Sequence, residues 1–394
     1  MLSPAERLRG LAVNPILAIA ADCQRRRTFG QDIVDLSVGQ PDFGTPRRIG
    51  DAACRAVAAG ETRYPPLQGI GPLRVAVRAR LLSESLGYQA REILVTAGAT
   101  GGLFCAFQAL LEPGDRVLIP VPAYPAYARQ VALAGGVPVP VPTRFEDGFR
   151  LMPEGLRAAT REPARLLVLN NPGNPTGAVY GREELEGIAA VVLERDLAVV
   201  ADEIYSDFIH AGPPFVSFAS LGPKMRERTI LVRSLSKSYA MTGWRIGFAA
   251  GPEVLIRAML EVQHAALVAP ASVCQWAAAE ALAGDQAELR EMARTYAERH
   301  RLVQDWLATL SGVRSIDARG AFFAFPDLSG RCRDVDRLCR TLLDRQGVAV
   351  VPGSAFGAAG CIRISYAVET AQLAKGLDRL RKGLDEARAH GHAA

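Results

Sequence analysis

The fold is decided by a short, continuously apolar run, Leu166-Leu-Val-Leu169, which the polar loop Asn170-Asn-Pro-Gly-Asn-Pro-Thr-Gly177 follows directly. A helical pattern over residues 182–195 then leads to a second apolar run, Leu197-Ala-Val-Val-Ala201, which ends at Asp202-Glu-Ile-Tyr205. Apolar runs of this length that are separated by a helix are typical of neighbouring parallel strands in a sheet covered on both faces. The stretch therefore predicts a β-α-β unit.

The same alternation extends over about residues 46–275 and predicts an α/β fold with a mostly parallel, seven-stranded sheet covered by helices. The predicted strands are 93–96, 116–120, 137–141, 166–169, 197–201, 230–233 and 246–250, with helices over 101–111, 127–134 and 182–195 between several of them. From about residue 276 the pattern changes to long charged helices, over 275–310, 334–346 and 370–388, around short strands at 321–325 and 361–365. This change predicts a second, smaller α+β domain.

Composition excludes several classes of protein. The 394 residues are 49% hydrophobic and 22% charged, which is typical of a globular protein and not of a disordered or fibrous one. No stretch of about 18 residues avoids charges and chain-breaking residues, so no membrane span is predicted. The net charge of +5 comes from scattered basic residues, which gives no support to nucleic-acid binding.

The cysteines and histidines indicate neither a disulfide framework nor a metal site. The seven cysteines are widely spaced without a Cys-x-x-Cys pair, and the five histidines do not cluster, apart from His390 and His392. The first residues, Met1-Leu-Ser-Pro-Ala-Glu-Arg-Leu-Arg-Gly10, lack the apolar region of a signal peptide. These features predict a reducing, cytoplasmic compartment.

Open parallel sheets bind ligands at the carboxyl ends of their strands, so the residues after each predicted strand are the candidates for a site. Gly98-Ala-Thr-Gly-Gly102 follows the first strand and begins a helix, whose free N–H groups can bind a phosphate. Glycines at such a turn more often make only a tight connection. Three of the four asparagines lie in the loop at 170–177, which favours contact with a ligand, the alternative being a rigid loop of Asx and Pro turns.

Two further strand ends carry a carboxylate and a lysine. Asp202 follows an apolar run directly, and a partly buried carboxylate needs a positive partner, although a lone Asp at such a place is more often a helix N-cap. Lys237, one of only four lysines, lies among small hydroxyl residues in Ser234-Leu-Ser-Lys-Ser238. Pyridoxal phosphate uses all of these groups: a lysine for its Schiff base, a carboxylate for its ring nitrogen, donors for its phenolic oxygen and a cradle for its phosphate.

Through a set of motifs, the chain resembles the class I/II aminotransferases, which are pyridoxal-phosphate enzymes of the aspartate-aminotransferase fold. The resemblance is strongest to the bacterial aspartate and aromatic aminotransferase subgroup. The motifs are Leu36-Ser-Val-Gly-Gln-Pro-Asp-Phe-Gly-Thr-Pro46, Arg63-Tyr-Pro-Pro-Leu-Gln-Gly69, Asn171-Pro-Gly-Asn-Pro-Thr-Gly177, Asp202-Glu-Ile-Tyr205, Ser234-Leu-Ser-Lys237, Met241-Thr-Gly-Trp-Arg-Ile-Gly247 and Arg363-Ile-Ser-Tyr366. The resemblance extends from Asn14-Pro15 to about Leu384. It implies a homodimer, a large cofactor-binding domain at 46–275, and a small domain made of 1–45 and 276–394.

The resemblance also implies roles for the residues around the cofactor ring. Lys237 forms the Schiff base, and its freed amine moves a proton between the substrate Cα and the cofactor. Asp202 pairs with the pyridinium nitrogen. Asn174 and Tyr205 hydrogen-bond the phenolic oxygen, and Tyr124 stacks on the ring.

By the same resemblance, Arg363 binds the substrate α-carboxylate, a task that suits a guanidinium, with help from Asn174 and the N–H of Gly39. Tyr64 reaches the phosphate in the neighbouring subunit, so that each active site is shared between two chains. The remaining phosphate ligands are implied to be Ala99, Thr100, Ser234, Ser236 and Arg245.

The substrate side chain is where the sequence departs from the aspartate-specific relatives. They carry a lysine in the phosphate turn where this chain has Thr100, and the segments Pro15-Ile-Leu-Ala-Ile19 and Ala265-Ala-Leu-Val-Ala-Pro270 are apolar. We therefore expect an aminotransferase that exchanges an amino group between an α-amino acid and an α-keto acid and is not strictly specific for dicarboxylates. Arg129 and Arg144 are the basic residues that folding could bring to the pocket.

Two alternatives remain at the level of the sequence. Relatives with the same site catalyse elimination, γ-replacement, cyclisation or oxidation of amino acids, and the shared residues do not separate these reactions from transamination. The second alternative is the effector domain of a transcription regulator, but the roughly 35 residues before Leu36 are too few for the DNA-binding domain that such a regulator needs.

Overall fold

The computed structural model describes Ser3, Ala5, Leu8 and the continuous stretch 15–389, so that His390 and His392 lie outside the described residues. Its β-strands are β1 (Val34–Asp35), β2 (Ile93–Thr96), β3 (Arg116–Val121), β4 (Val137–Pro142), β5 (Leu166–Asn170), β6 (Ala198–Asp202), β7 (Thr229–Ser234), β8 (Gly247–Ala250), β9 (Phe323–Ala324), β10 (Val348–Ala349), β11 (Val351–Pro352) and β12 (Ile362–Ser365).

The helices lie before, between and after these strands. They are α1 (Pro15–Thr28), α2 (Arg47–Ala58), α3 (Gly71–Ser83), α4 (Gly98–Leu110), α5 (Ala126–Leu133), α6 (Pro153–Ala159), α7 (Arg182–Glu194), α8 (Pro223–Arg226), α9 (Leu235–Ser238), α10 (Glu253–Leu267), α11 (Ser272–Ala283), α12 (Ala287–Ala308), α13 (Val335–Thr341) and α14 (Thr370–Ala389). None of the described helices combines the length and the apolar character that a membrane crossing requires.

A seven-stranded sheet forms the centre of the fold, in the order β2-β8-β7-β6-β5-β3-β4. All its neighbours pair in parallel except β8, which runs antiparallel to both β2 and β7. Each of the seven apolar runs in the sequence forms one of these strands, with ends within one residue of the predicted ones. The prediction of a mostly parallel, seven-stranded α/β sheet is confirmed.

Helices cover both faces of this sheet, which explains why the strands are apolar throughout. Alternate residues of a strand point to opposite faces. In β5, Leu166 and Val168 pack with residues of α4, α5 and α10, whereas Leu167 and Leu169 pack with residues of α6 and α7. The strand therefore has no face on which a polar residue could be solvated.

The edge strand β4 has the sequence Val-Pro-Val-Pro-Val-Pro. The N–H of Val137 donates to Asp115 and the N–H of Thr143 donates to Val121, so the odd-numbered residues face β3. The nitrogens of the three prolines then point away from the sheet. Because proline has no N–H, the outer edge of β4 lacks the donors with which another strand would pair.

Two smaller sheets lie outside the central one. In the first, β12 pairs antiparallel with both β11 and β9, and in the second, β1 pairs in parallel with β10. Strand β9 is shorter than the predicted 321–325, because Ala321 has a positive φ of 59° and leaves the extended conformation. The helix predicted over 334–346 consists of α13 and a π-helical turn over Leu342–Gln346.

The prediction of a single helix over 275–310 is wrong, since this stretch contains two separate helices, α11 and α12. The break is at Gly284, where a Cβ would lie 2.3 Å from Nη1 of Arg48. That guanidinium donates to the carbonyl of Glu280 (2.7 Å) at the end of α11, which also accepts the N–H of Gly284 (2.9 Å). A residue of α2 therefore terminates a helix more than 230 positions later in the chain. The sequence pattern also did not predict α2 and α3, which precede the first predicted strand, or α10, which follows the predicted strand at 246–250.

The topology brings distant residues to one edge of the central sheet. Strands β2, β3, β5, β6 and β7 share a direction, so their carboxyl ends lie at the same edge. The loop at 170–177, the turn at Asp202 and the turn at Lys237 all begin there.

Candidate active site

A cavity of about 270 Å³ opens at the edge where the parallel strands end. It brings together all of the predicted site residues except Tyr64. The predicted residues that line it are Gly39, Ala99, Thr100, Tyr124, Asn174, Asp202, Tyr205, Ser234, Ser236, Lys237, Arg245 and Arg363. Tyr64 does not line the cavity, and its side chain is 87% exposed on the surface.

Lys237 lies in α9, a single helical turn directly after β7. The hydroxyl of Ser234 accepts the N–H of Ser236 (3.1 Å) and so caps this turn. The ammonium of Lys237 donates to the carbonyl of Gly39 (2.7 Å). Burial, followed by the charges of Arg363 and Arg245, lowers the pKa of Lys237 to about 8. Part of the population is therefore neutral near neutral pH, which a nucleophilic or basic lysine needs.

Asp202 is the last residue of β6 and is 2% exposed. Its Oδ2 accepts the hydroxyl of Tyr127 (2.7 Å), and its Oδ1 accepts the N–H of Ile204 (3.3 Å). Burial raises the pKa of Asp202 to about 6, although these hydrogen bonds and the charge of Lys237 act in the opposite direction. The carboxylate is thus a poorly solvated negative charge facing a cavity, and a cationic ligand there would stabilise it.

An ion-pair chain fixes the strand ends that carry Asp202 and Lys237. The guanidinium of Arg233, next to Ser234, donates to Glu203 (2.9 Å) and to Glu84, the residue after α3 (2.9 Å). Glu203 also accepts the hydroxyl of Ser217 (2.7 Å). Because Arg233 and Glu203 are buried and bonded to each other, the ends of β6 and β7 are held together.

Two tyrosines form walls of the cavity. Tyr205 is buried and packs edge-on against Phe322 (5.3 Å between ring centroids) and Phe323 (5.6 Å). Tyr124 packs edge-on against Tyr127 (5.6 Å). Burial is the largest cause that raises the pKa of both Tyr124 and Tyr205, so both hydroxyls stay protonated at neutral pH.

Arg363, in β12, is buried beside the cavity between two aromatic rings. Its guanidinium carbon lies 4.5 Å from the ring centroid of Phe323 and 5.0 Å from that of Phe356. Its Nη1 donates to Oδ1 of Asn174 (2.8 Å) and its Nη2 to the carbonyl of Ser37 (2.5 Å). Its Nε is buried and has no hydrogen-bond partner among the described residues. Burial lowers the pKa of Arg363 to about 10. A buried guanidinium without a carboxylate is costly, so the arrangement favours an anionic ligand.

The turn before α4 forms a cradle for an anion. Gly98 begins the helix with a φ of +69°, and no side chain of the described residues caps the helix N-terminus. A Cβ on Gly98 would lie 2.7 Å from Nη2 of Arg245, so only glycine lets the guanidinium approach the helix end. A Cβ on Gly247 would lie 2.6 Å from the carbonyl of Arg233. The guanidinium of Arg245 donates to the carbonyl of Thr242 (2.9 Å) and has no carboxylate partner among the described residues. A helix N-terminus beside such a guanidinium binds phosphate groups.

Comparison with known proteins assigns this arrangement to a family. The family model described as aminotransferase class I and II matches residues 31–380. The chain belongs to this family. It is 37% identical over 392 residues to the aspartate aminotransferase of Geobacillus stearothermophilus, covering 98% of this chain and 99% of that one. It is also 40% identical over 387 residues to the aspartate/prephenate aminotransferase of Thermus thermophilus, covering 97% and 99% of the two chains.

The solved structures agree with this assignment. The crystal structure of the aspartate aminotransferase from Rhizobium meliloti superimposes with a TM-score of 0.93 at 37% identity and covers 98% of this chain and 99% of that one. Class I and II aminotransferases of this fold use pyridoxal phosphate. This aminotransferase therefore depends on pyridoxal phosphate and exchanges an amino group between an α-amino acid and an α-keto acid.

The residues around the cavity fit this cofactor and an amino acid substrate. The uncapped N-terminus of α4 and Arg245 offer donors and positive charge for a phosphate. Lys237 offers an amine with a lowered pKa, and Asp202 offers a carboxylate that lacks a cationic contact. The guanidinium of Arg363 lines the cavity and offers positive charge for a carboxylate.

Several residues at or beside the cavity were not predicted from the sequence. Tyr127, which is hydrogen-bonded to Asp202, was not singled out, although it lies only three positions after Tyr124. The aromatic rings on Arg363 could not be identified from spacing. Arg129 and Arg144 do not line the cavity, and Arg144 is exposed and paired with Asp147 (2.7 Å).

Proposed function

We propose that the cavity at the strand ends is the active site of this aminotransferase and that Lys237 is its catalytic lysine. The observation that supports the proposal is the position of Lys237, whose amine lies in the cavity. The pKa of this amine is lowered to about 8. Lys375, by contrast, is paired with Asp32 at the surface. With its amine free, Lys237 moves the proton at the substrate Cα. Borohydride reduction of the holoenzyme followed by peptide mapping tests the assignment.

The cofactor, when bound, supplies a conjugated ring that stabilises negative charge at the substrate Cα. We propose that Asp202 holds the ring nitrogen in its protonated state, and that Tyr124 lies against the ring. Tyr205 and Asn174 donate to the phenolic oxygen. The amide nitrogen of Asn174 is available for this, because its Oδ1 accepts from Arg363.

The phosphate is assigned to the turn at the start of α4. The N–H groups of this helix end are uncapped, and Arg245 lies beside Gly98. The side chains and backbone groups that we propose as phosphate ligands are Ala99, Thr100, Ser234, Ser236 and Arg245. Arg363 binds the substrate α-carboxylate, with help from the backbone N–H of Gly39.

The preferred amino donor has a neutral side chain. Among the residues that the structure describes, the cations lining the cavity are Lys237, Arg245 and Arg363, and each has a role above. The rest of the lining includes Ile16 and Leu17 of α1 and no further cation. A second carboxylate on the substrate would be left without a partner, which costs several kcal/mol for a buried charge.

A single-turnover experiment tests this preference. The rate at which the absorbance of the bound cofactor changes is measured with aspartate, alanine, leucine and phenylalanine at equal concentration. We expect aspartate to be slower than the neutral donors. Thr100→Lys should raise the rate with aspartate, whereas Thr100→Met, of similar length without charge, should not. A wild-type rate with aspartate tenfold above the others contradicts the proposal.

The active unit is proposed to be a homodimer in which Tyr64 completes the site of the partner subunit. Tyr64 is a large aromatic residue that is 87% exposed in the single chain and does not line that chain's own cavity. A Tyr64→Ala protein and a Lys237→Ala protein, each inactive, should regain activity when mixed, since one of the two sites in the hybrid dimer is intact. Hybrid dimers without activity contradict a shared site.

The chain is proposed to divide into a large domain at 46–275 and a small domain made of 1–45 and 276–394. All strands of the central sheet fall within the first range, and all strands of the smaller sheets fall within the second. We also propose that the protein acts in the cytoplasm. Seven free cysteines are typical of a reducing compartment.

A further inference from the structure

The carboxylate of Asp202 has a side-chain hydrogen-bond donor, Tyr127, that none of the roles above uses. The hydroxyl lies 2.7 Å from Oδ2, and both side chains are 2% exposed. Tyr127 is in the first turn of α5, and its partner is the last residue of β6, 75 positions later in the chain. The hydrogen bond therefore links two elements at the base of the cavity.

The hydrogen bonds to Asp202 leave part of the carboxylate free. Tyr127 occupies one acceptor position on Oδ2, and the N–H of Ile204 occupies one on Oδ1 at 3.3 Å. An ionised carboxylate accepts about four hydrogen bonds. The remaining positions are available to a ligand in the cavity, and the two donors fix the plane in which these positions lie.

Tyr127 is suited to hold a carboxylate in its ionised state without neutralising it. Burial and the adjacent Asp202 raise the pKa of Tyr127 well above the usual value for tyrosine, so its hydroxyl remains a donor throughout the working pH range. Unlike a lysine or an arginine, it adds no positive charge that would repel a protonated ring. The negative charge of Asp202 therefore stays available to the cofactor.

We propose that Tyr127 is a positioning residue that keeps Asp202 ionised and oriented towards the ring nitrogen of the cofactor. The proposal rests on the role given to Asp202 above. Without the hydroxyl, the buried carboxylate takes up a proton at a higher pH, and a neutral carboxyl stabilises a protonated ring less. The other ionisable groups that act on Asp202 are Tyr124, Tyr205 and Lys237.

The first test concerns the full chain without cofactor. Tyr127→Phe removes only the hydroxyl and keeps the ring packed on Tyr124. Urea unfolding is measured between pH 4.5 and 7.5 for the wild type and for Tyr127→Phe, each with and without Asp202→Asn. For each background, wild type or Tyr127→Phe, the unfolding free energy with Asp202 minus that with Asp202→Asn isolates the contribution of the Asp202 carboxyl.

The sign of this contribution follows from the pKa of Asp202, which burial raises from 3.8 in the unfolded chain to about 6. The folded state binds the proton more tightly, so the contribution of Asp202 to the free energy of unfolding increases as the pH falls. In the wild type this increase begins near pH 6, and we call the part of the curve where it begins the upper limb. In Tyr127→Phe this limb should move upward by about one pH unit, the loss expected for a hydrogen bond to a charged group. An unmoved limb overturns the proposal.

Tyr180→Phe is the matched control. It also removes a buried hydroxyl, one that accepts the N–H of Leu151 (2.7 Å) and does not line the cavity. The limb due to Asp202 should stay in place in this variant. If Tyr180→Phe moves the limb as far as Tyr127→Phe does, the effect is general loosening and the proposal is overturned.

The second test concerns the cofactor. The Kd for pyridoxal phosphate at pH 7.5 should rise roughly tenfold in Tyr127→Phe and remain unchanged in Tyr180→Phe. If the limb in the first test moves while the Kd and the pH dependence of the bound cofactor's absorbance stay at wild-type values, Tyr127 controls a carboxylate that does not serve the ring. That result overturns the proposal together with the role of Asp202, and leaves the assignment of Lys237 intact.

Discussion

Replacing His210 by Gln should remove most of a stability loss that the wild type suffers between pH 7.5 and pH 5. The Nε2 of His210 lies 2.6 Å from the carbonyl of Ala321 and so carries the proton, whereas its Nδ1 is buried and has no partner in the described part of the chain. The ring stacks on His300 (5.1 Å between centroids), and the hydroxyl of Tyr366 lies 3.1 Å from Nε2. A second proton would have no acceptor and would face another imidazole.

The size of this stability loss follows from the pKa of His210. Burial, and after it the charge of His300, lowers this pKa from 6.5 to about 4. The unfolded chain binds a proton below pH 6.5, but the folded chain does not until about pH 4, so stability falls as the pH drops through this window. The full difference corresponds to about 3.4 kcal/mol, of which about 2 kcal/mol is lost by pH 5. Gln keeps a donor for Ala321 and does not titrate.

The assay is urea unfolding at pH 7.5 and at pH 5. The loss of unfolding free energy between the two conditions should be about 2 kcal/mol smaller in His210→Gln than in the wild type. Groups that titrate elsewhere, including Asp202, contribute equally to both proteins and cancel. His264→Gln, which changes an exposed histidine of α10, should behave as the wild type. Equal losses in His210→Gln and the wild type would refute the reasoning.

Three further outcomes are expected. Lys237→Ala should abolish transamination while cofactor still binds through its phosphate, and borohydride should label the Lys237 peptide of the wild type; label on another lysine contradicts the assignment. Arg233→Met should lower the unfolding free energy by about 3–5 kcal/mol, because two carboxylates lose their buried partner, whereas Arg257→Met, at an exposed pair with Glu253, should cost about 0.5 kcal/mol or less; equal losses count against the ion-pair chain. Pro140→Val should restore an outward N–H on β4 and increase aggregation measured by light scattering; unchanged scattering would mean that the prolines do not protect this edge.

The sequence determined the central sheet because the signal for each strand is local. A continuously apolar run of four to six residues between turns has few other ways to be buried, and all seven such runs form strands of one sheet. The sequence also determined most of the candidate site, because the carboxyl ends of parallel strands meet at one edge and the polar residues after them must lie together. Gly98, Asp202 and Lys237 were found in this way.

Only the tertiary structure decided the contacts between residues that are distant in the chain. The helix break at Gly284 depends on the guanidinium of Arg48, and no pattern in either segment records that contact. In the same way, the hydrogen bond from Tyr127 to Asp202 spans 75 positions and exists because the packing of α5 against α4, β3 and β4 brings its first turn to the end of β6. Local periodicity reports how a segment is buried, whereas the partner of a buried polar group is set by the packing of whole elements.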